Sequence, residues 1–282
     1  MNAPRKVVVA LDAARHSPGM LDAAADLALR LGAELAGVFV EDVDLINLAG
    51  LPFARELGLR SAARQLDLAT IEQELQLHAA AARRALIIAA ERRHLQWSFR
   101  VRRGQPAVEL LAAAADAEFV ALSVRSRTEL RIGPAGDATQ VVVESASATL
   151  LCDRAAAADP ARPILLPYDG SPTARQALEL AVRLARQGEG LTIVACAADA
   201  EALAGLQRDL RDRLRSEDIA FRIRELRDGD RNQLIAVLRR ERACLVVMPV
   251  DGGLLGGLAP AELLERLGLP VLQVRARAGA AA

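Results

Sequence analysis

An apolar, β-branched run ends in aspartate at KVVVALD, residues 6–12, and again at PILLPYD, residues 163–169, and each leads into an alanine-rich helical pattern. Each copy later places a glycine just before a further helical stretch, RRGQPAVELL at Gly104 and RDGDRNQLIAVL at Gly229. One order of elements therefore occurs twice, so the chain must satisfy the same fold two times over. Apolar runs alternating with helical patterns are the signature of βαβ units and a mostly parallel sheet.

The periodicity predicts strands near 5–12, 33–41, 97–103, 118–124 and 148–152 in the first copy, with helices near 17–31, 63–94, 105–116 and 137–146. In the second it predicts strands near 163–168, 190–196, 219–226, 243–249 and 270–275, with helices near 172–187, 199–216, 230–241 and 260–267. The expected organisation is a first domain over 1–153, an Ala/Pro linker over 154–161, a second domain over 162–276 and a flexible tail over 277–282. The first copy is roughly thirty residues longer, an insertion at about 43–75 that combines the apolar stretch INLAGLPFARELGL with a charged amphipathic helix. A flap over the sheet or the other domain, a protomer contact, a lid and a docking surface are all open roles for it.

Composition removes several functions. Lys plus Arg equals Asp plus Glu at 36 each, so no overall field draws the chain to nucleic acid or to an anionic membrane. Aromatic residues make up 2%, too few for a base-stacking platform. Cys152, Cys196 and Cys244 each lie in or beside apolar runs, and His16, His78 and His94 share no ligand spacing. Buried free thiols and no metal centre are expected. No run of about 18 uncharged apolar residues occurs, and the expected location is the cytoplasm. The chain has no G-x4-G-K-[ST] loop and no G-x-S-x-G elbow, which argues against a P-loop NTPase and an α/β-hydrolase; no enzymatic turnover is expected.

In open parallel sheets, ligands bind beyond the carboxyl ends of the strands, where the strand order reverses. Asp12 and Asp169 end the first strand of each copy. A carboxylate there can accept from an adenine amino group or a ribose hydroxyl, or it can cap the next helix. The Arg125, Arg127 and Arg131 guanidinium groups in SVRSRTELRIGPAGD suit an anion, or they can pair with Glu129 and Asp137 in solvent.

PILLPYDGSPTARQALELAVRLA at 163–185 resembles the opening of a universal stress protein domain, with Asp169-Gly170-Ser171 intact; KVVVALDAARHSPG resembles it more loosely, with Ala13 and Ala14 in place of Gly-Ser. The endings SASATLLC and RLGLPVLQV are similar to that family's closing pattern. The resemblance implies two tandem open parallel five-stranded sheets with helices on both faces and strand order 3-2-1-4-5, the Rossmann-like adenine nucleotide alpha hydrolase-like fold. It also implies pairing of the two halves through their closing strands.

Nucleotide-binding members of the family carry Gly-x2-Gly-x9-Gly-Ser/Thr after the fourth strand, where backbone amides approach phosphate. Ser123, Ser126 and Gly136-Asp137 occupy that pattern in the first copy, and Asp137 would bring a negative charge to the phosphate position. In the second copy the pattern shortens to Pro249, Gly252 and Gly257-Leu258. The candidate binding set is Asp12, the backbone of Val40, Gly104, Ser123, Arg125, Ser126, Arg127 and Gly136, with Asp169, Gly170, Gly229 and Gly252 as second-copy counterparts. ATP is the one cofactor this set would take. Two readings stay open: a stress-associated regulatory or interaction protein unable to bind ATP in the usual way, or an adenine-nucleotide-binding regulator using the first domain. The expected partners are the other half of the same chain, a second copy and an unidentified protein.

Overall fold

The computed structural model describes residues 5–11, 18–51, 55–56, 64–65, 68–115, 117–123, 148–152, 159, 161–186, 188, 190–227, 230–250 and 260–275. The first half runs β1 (Lys6–Leu11), α1 (Pro18–Leu31), β2 (Glu34–Asp42), α2 (Val43–Ala49), β3 (Arg55–Glu56), β4 (Arg64–Gln65), α3 (Leu68–Glu91), β5 (Trp97–Gly104), α4 (Pro106–Ala115), β6 (Phe119–Ser123) and β7 (Ala148–Cys152). The second runs β8 (Ile164–Tyr168), α5 (Pro172–Ala185), β9 (Leu191–Ala197), α6 (Ala200–Leu214), β10 (Phe221–Arg227), α7 (Arg231–Arg240), β11 (Leu245–Pro249), α8 (Pro260–Leu267) and β12 (Val271–Val274). The helix expected at 137–146 and the tail lie outside the described residues.

Each half has the expected strand order. β5-β2-β1-β6-β7 and β10-β9-β8-β11-β12 are both 3-2-1-4-5, with every pairing inside a half parallel. The two five-stranded sheets do not stand apart, however. β12 pairs antiparallel with β7, so all ten strands form one sheet. The physical reason is the cost of an open edge: a closing strand left bare exposes a row of unpaired backbone groups, and pairing removes both edges at once.

The strands read as continuous apolar runs because helices cover both faces. One face packs against α1, α3, α5 and α6, with Leu27, Leu86, Leu178 and Leu210 inside. The other packs against α4, α7 and α8, through Leu110, Leu234 and Leu263. Both layers run across the seam between the halves, and α1 also packs on α5. Arg30 of α1 donates to the Leu184 carbonyl at 3.1 Å, and Arg183 of α5 meets Glu118 at 3.2 Å. All three cysteines are buried and none forms a disulfide, as composition suggested.

The insertion contributes α2, the short β3–β4 hairpin and the start of α3. Sequence reading had an apolar stretch where α2 forms. Its buried side, with Ile46 partly covered beside Ala49, sits on Ile71 and Leu75 of α3, whereas Leu45, Leu48 and Leu51 are exposed.

Candidate functional site

In the second half the crevice at the carboxyl ends of the strands is built from the turn after β8. Asp169 Oδ1 accepts the Ser171 amide at 3.0 Å, and Ser171 Oγ accepts the Ala174 amide at 3.2 Å as the N-cap of α5. Gly170 joins them at φ +79°, and a Cβ there would meet Leu206 Cδ2 at 2.6 Å. The left-handed backbone requires glycine, whereas the Leu206 methyl, at the end of a flexible side chain, could turn aside. Asp169-Gly170-Ser171 thus closes its own turn and caps its own helix.

Register places the second-half counterpart of Val40. Leu11 pairs with Phe39 and Tyr168 with Ala195, so Cys196 stands where Val40 stands in the first half. Burial pushes the Cys196 thiol up to about 12, the Asp169 carboxylate pushes the same way, and a backbone hydrogen bond at Tyr168 opposes them. A thiol so protonated is no nucleophile at neutral pH. Just before Asp169, buried Tyr168 donates its hydroxyl to Asp209 Oδ2 at 3.0 Å. Burial and that carboxylate hold the phenol above its ordinary value.

In the first half, Val40 pairs with Arg102 of β5, one residue beyond the last described β1–β2 pairing at Leu11 and Phe39. Ser123 ends β6 and pairs with Cys152 of β7. Continuing the β1–β6 register from Val9 and Ala121 sets Ser123 beside Leu11, at the switch in strand order. Gly104 ends β5, and its open side is already occupied: a Cβ there would meet Glu109 Oε1 at 2.8 Å. Glu109 lies in the first turn of α4 and pairs with Arg102 at 3.1 Å. Asp12, Arg125, Ser126, Arg127, Gly136, Gly229 and Gly252 lie outside the described residues.

Sequence reading missed how the helices at this edge begin. Asp42 accepts from the Asp44 amide at 2.9 Å ahead of α2, Asp199 from Ala202 at 2.8 Å ahead of α6, and Asp230 from Gln233 at 2.8 Å ahead of α7. An aspartate immediately before an apolar-periodic run is the signal that locates such caps. Glu109 carried a weaker signal, an acidic residue inside a first turn.

A shallow cleft opens elsewhere, between the β1-β2-β5 edge and α4. Lys6, Ser98, Arg100 and Arg102 line it above Ala112 and Ala113. None of its lining belongs to the expected binding set. No group of three or more potential metal ligands occurs among the described residues, and no described helix is long and apolar enough to cross a membrane.

No family model and no curated protein matches the chain. Solved structures do match in three dimensions. A universal stress protein from Archaeoglobus fulgidus superposes with a TM-score of 0.67 at 17% identity, over 95% of this chain and 96% of that one. A protein of unknown function from Pseudomonas aeruginosa gives 0.57 at 16% identity, over 97% and 93%. The cytoplasmic domain of a prokaryotic cation chloride cotransporter gives 0.50 at 14%, over 96% and 95%. Across both halves, the chain has the fold of the universal stress proteins.

Proposed function

We propose that the chain is a tandem member of the universal stress protein family whose nucleotide-binding apparatus has degenerated, and that it acts in stress-associated regulation through protein contacts, without catalytic turnover. The observation that carries this reading is the state of the helix starts at the ligand-binding edge. A phosphate is held there by unpaired amides and the positive end of the helix dipole. In α2, α5, α6 and α7 the chain's own Asp42, Ser171, Asp199 and Asp230 take first-turn amides, and three of the four bring a carboxylate. Glu109 adds a further carboxylate beside Gly104.

One observation favours the second reading, an adenine-nucleotide-binding regulator. Val40 extends past the described end of β1, and a main chain so placed can present hydrogen-bonding groups to a base. Calorimetric titration of ligand-stripped protein with ATP and magnesium separates the two. We expect no heat and no rise in melting temperature at millimolar ATP, because a ligand selective for the folded state must stabilise it by mass action. Saturable binding below about 100 μM that disappears in Asp12→Ala would overturn the first reading and establish the second.

A further inference from the structure

The ten-stranded sheet is continuous because the two closing strands lie edge to edge. β7 and β12 run antiparallel with Leu150 opposite Leu272, Leu151 opposite Val271, Thr149 opposite Gln273 and Ala148 opposite Val274. The Leu150–Leu272 pair marks a local twofold. Exchanging the strands about it carries the Leu151–Val271 pair onto the Gln273–Thr149 pair. Of two equivalent positions, one is apolar on both strands and the other polar on both.

The polar position is fully enclosed. Thr149 is 1% exposed and Gln273 4%, and neither Thr149 Oγ1 nor Gln273 Oε1 has a hydrogen-bond partner. Both side chains share the sheet face of Leu151 and Val271, which packs against α8. A hydroxyl and a primary amide can each donate to and accept from the other. Setting them opposite one another confines two costly polar groups to one spot.

We propose that the Thr149–Gln273 pair selects the partner at this seam, favouring the first half against the second and disfavouring either half against its own counterpart in another chain. The inference concerns assembly and holds whether or not the chain binds nucleotide. In the same register, a β12–β12 contact sets Gln273 against Val271 of the other copy, twice. A β7–β7 contact sets Thr149 against Leu151, twice. Each like-with-like contact therefore buries two polar groups against aliphatic side chains, and the observed pairing buries none that way. A buried polar residue that fixes pairing at some cost in stability is a known device for specificity.

A second interaction across the seam has the same logic. Arg183 pairs with Glu118 at 3.2 Å. The amide of Gly32 donates to the Leu29 carbonyl as that of Gly188 does to the Ala185 carbonyl, which aligns Arg183 with Leu27 of the first half. Glu118 and Cys244 donate equivalently to Lys6 and Pro163, which aligns those two. A contact between two first halves would face Leu27 with Glu118, and one between two second halves would face Arg183 with Cys244. Only the mixed pairing supplies both charges.

The test uses the full chain in four forms besides the wild type: Thr149→Val, Gln273→Leu, the two combined, and Thr149→Ser. Neither polar atom has a partner to lose, so each apolar single variant removes a buried unpaired group, and its melting temperature should hold or rise by a few degrees at most, about 2–4 °C. The double variant removes both polar groups together and should melt no lower than the wild type. Refolded at high concentration and measured by light scattering, it should contain a several-fold larger fraction of material heavier than the wild-type assembly, because its closing edges have become self-complementary. Thr149→Ser keeps the hydroxyl and should refold as the wild type does. A melting temperature of the double variant well below that of the wild type would overturn the proposal. So would a wild-type mass distribution in the double variant, or heavy material from Thr149→Ser in equal measure.

Discussion

Tyr168 and Asp209 carry the clearest single-residue consequence. Removing the hydroxyl with Tyr168→Phe should cost about 1 kcal/mol in chemical denaturation, the usual net worth of one hydrogen bond. Partial burial pulls the Asp209 carboxyl up, but hydrogen bonds from Arg213 and Tyr168 outweigh it and hold the group below its ordinary value. A carboxyl lowered in the folded state stabilises the fold above the ordinary carboxylate range, and that contribution is lost as pH falls through the lowered value. Stability measured from pH 6 down to pH 2 should therefore decline less steeply in Asp209→Asn than in the wild type. Asp209 is well exposed, so the difference is small. Gly170→Ala tests the turn beside it: the φ of +79° should cost about 1–2 kcal/mol even after Leu206 turns aside. The motif Asp169-Gly170-Ser171 was readable in the sequence, but its use was not. Strand-end carboxylates serve ligands and caps equally well, and only the 3.0 Å bond to the Ser171 amide decides between them.

Secondary elements were legible wherever the period was long. β1, β2, α1 and α5 fall within a few residues of their expected ranges because buried parallel strands and amphipathic helices leave strong patterns. The two-residue strands β3 and β4 are too short to show any period. α2 had a usable signal, Asp42 ahead of Val43 and Gly50 after Ala49, which the apolar run around it obscured. At this scale the caps are the quantities to measure. Asp199→Ala and Asp230→Ala should each lose about 1 kcal/mol in thermal or chemical unfolding, because each frees a first-turn amide. Gly104→Ala should cost less than Gly170→Ala. The Cβ would meet Oε1 and Cγ of the Glu109 side chain at 2.8 and 2.9 Å, a chain that can swing aside as a whole, and the backbone at Gly104 is extended.

Across the whole molecule the halves share one sheet and both apolar layers, so they should unfold together. The chain offers one natural probe in each half, its single tryptophan, Trp97, and its single tyrosine, Tyr168. Tryptophan fluorescence and tyrosine absorbance should report coincident urea transitions, the signature of one cooperative unit. Separate midpoints would show the halves to be independent. Leu272→Ala, at the centre of the seam, should cost about 2–5 kcal/mol and move both probes equally. Arg183→Ala should move them by less than about 1 kcal/mol, because the ion pair with Glu118 is partly exposed.

The duplicated order of elements, the α/β class and the strand-end position of Asp169 follow from the amino-acid sequence alone, because hydrophobic period and turn residues are local properties of the chain. Three features arose only in the tertiary structure: the joining of two sheets into one, the Glu109 carboxylate against Gly104, and the burial of Thr149 opposite Gln273. Each depends on residues far apart in the chain, or on side chains whose direction is set by packing. A pattern read along one strand shows which face is apolar; which strand lies beside it, and in what register, is decided when the edges meet.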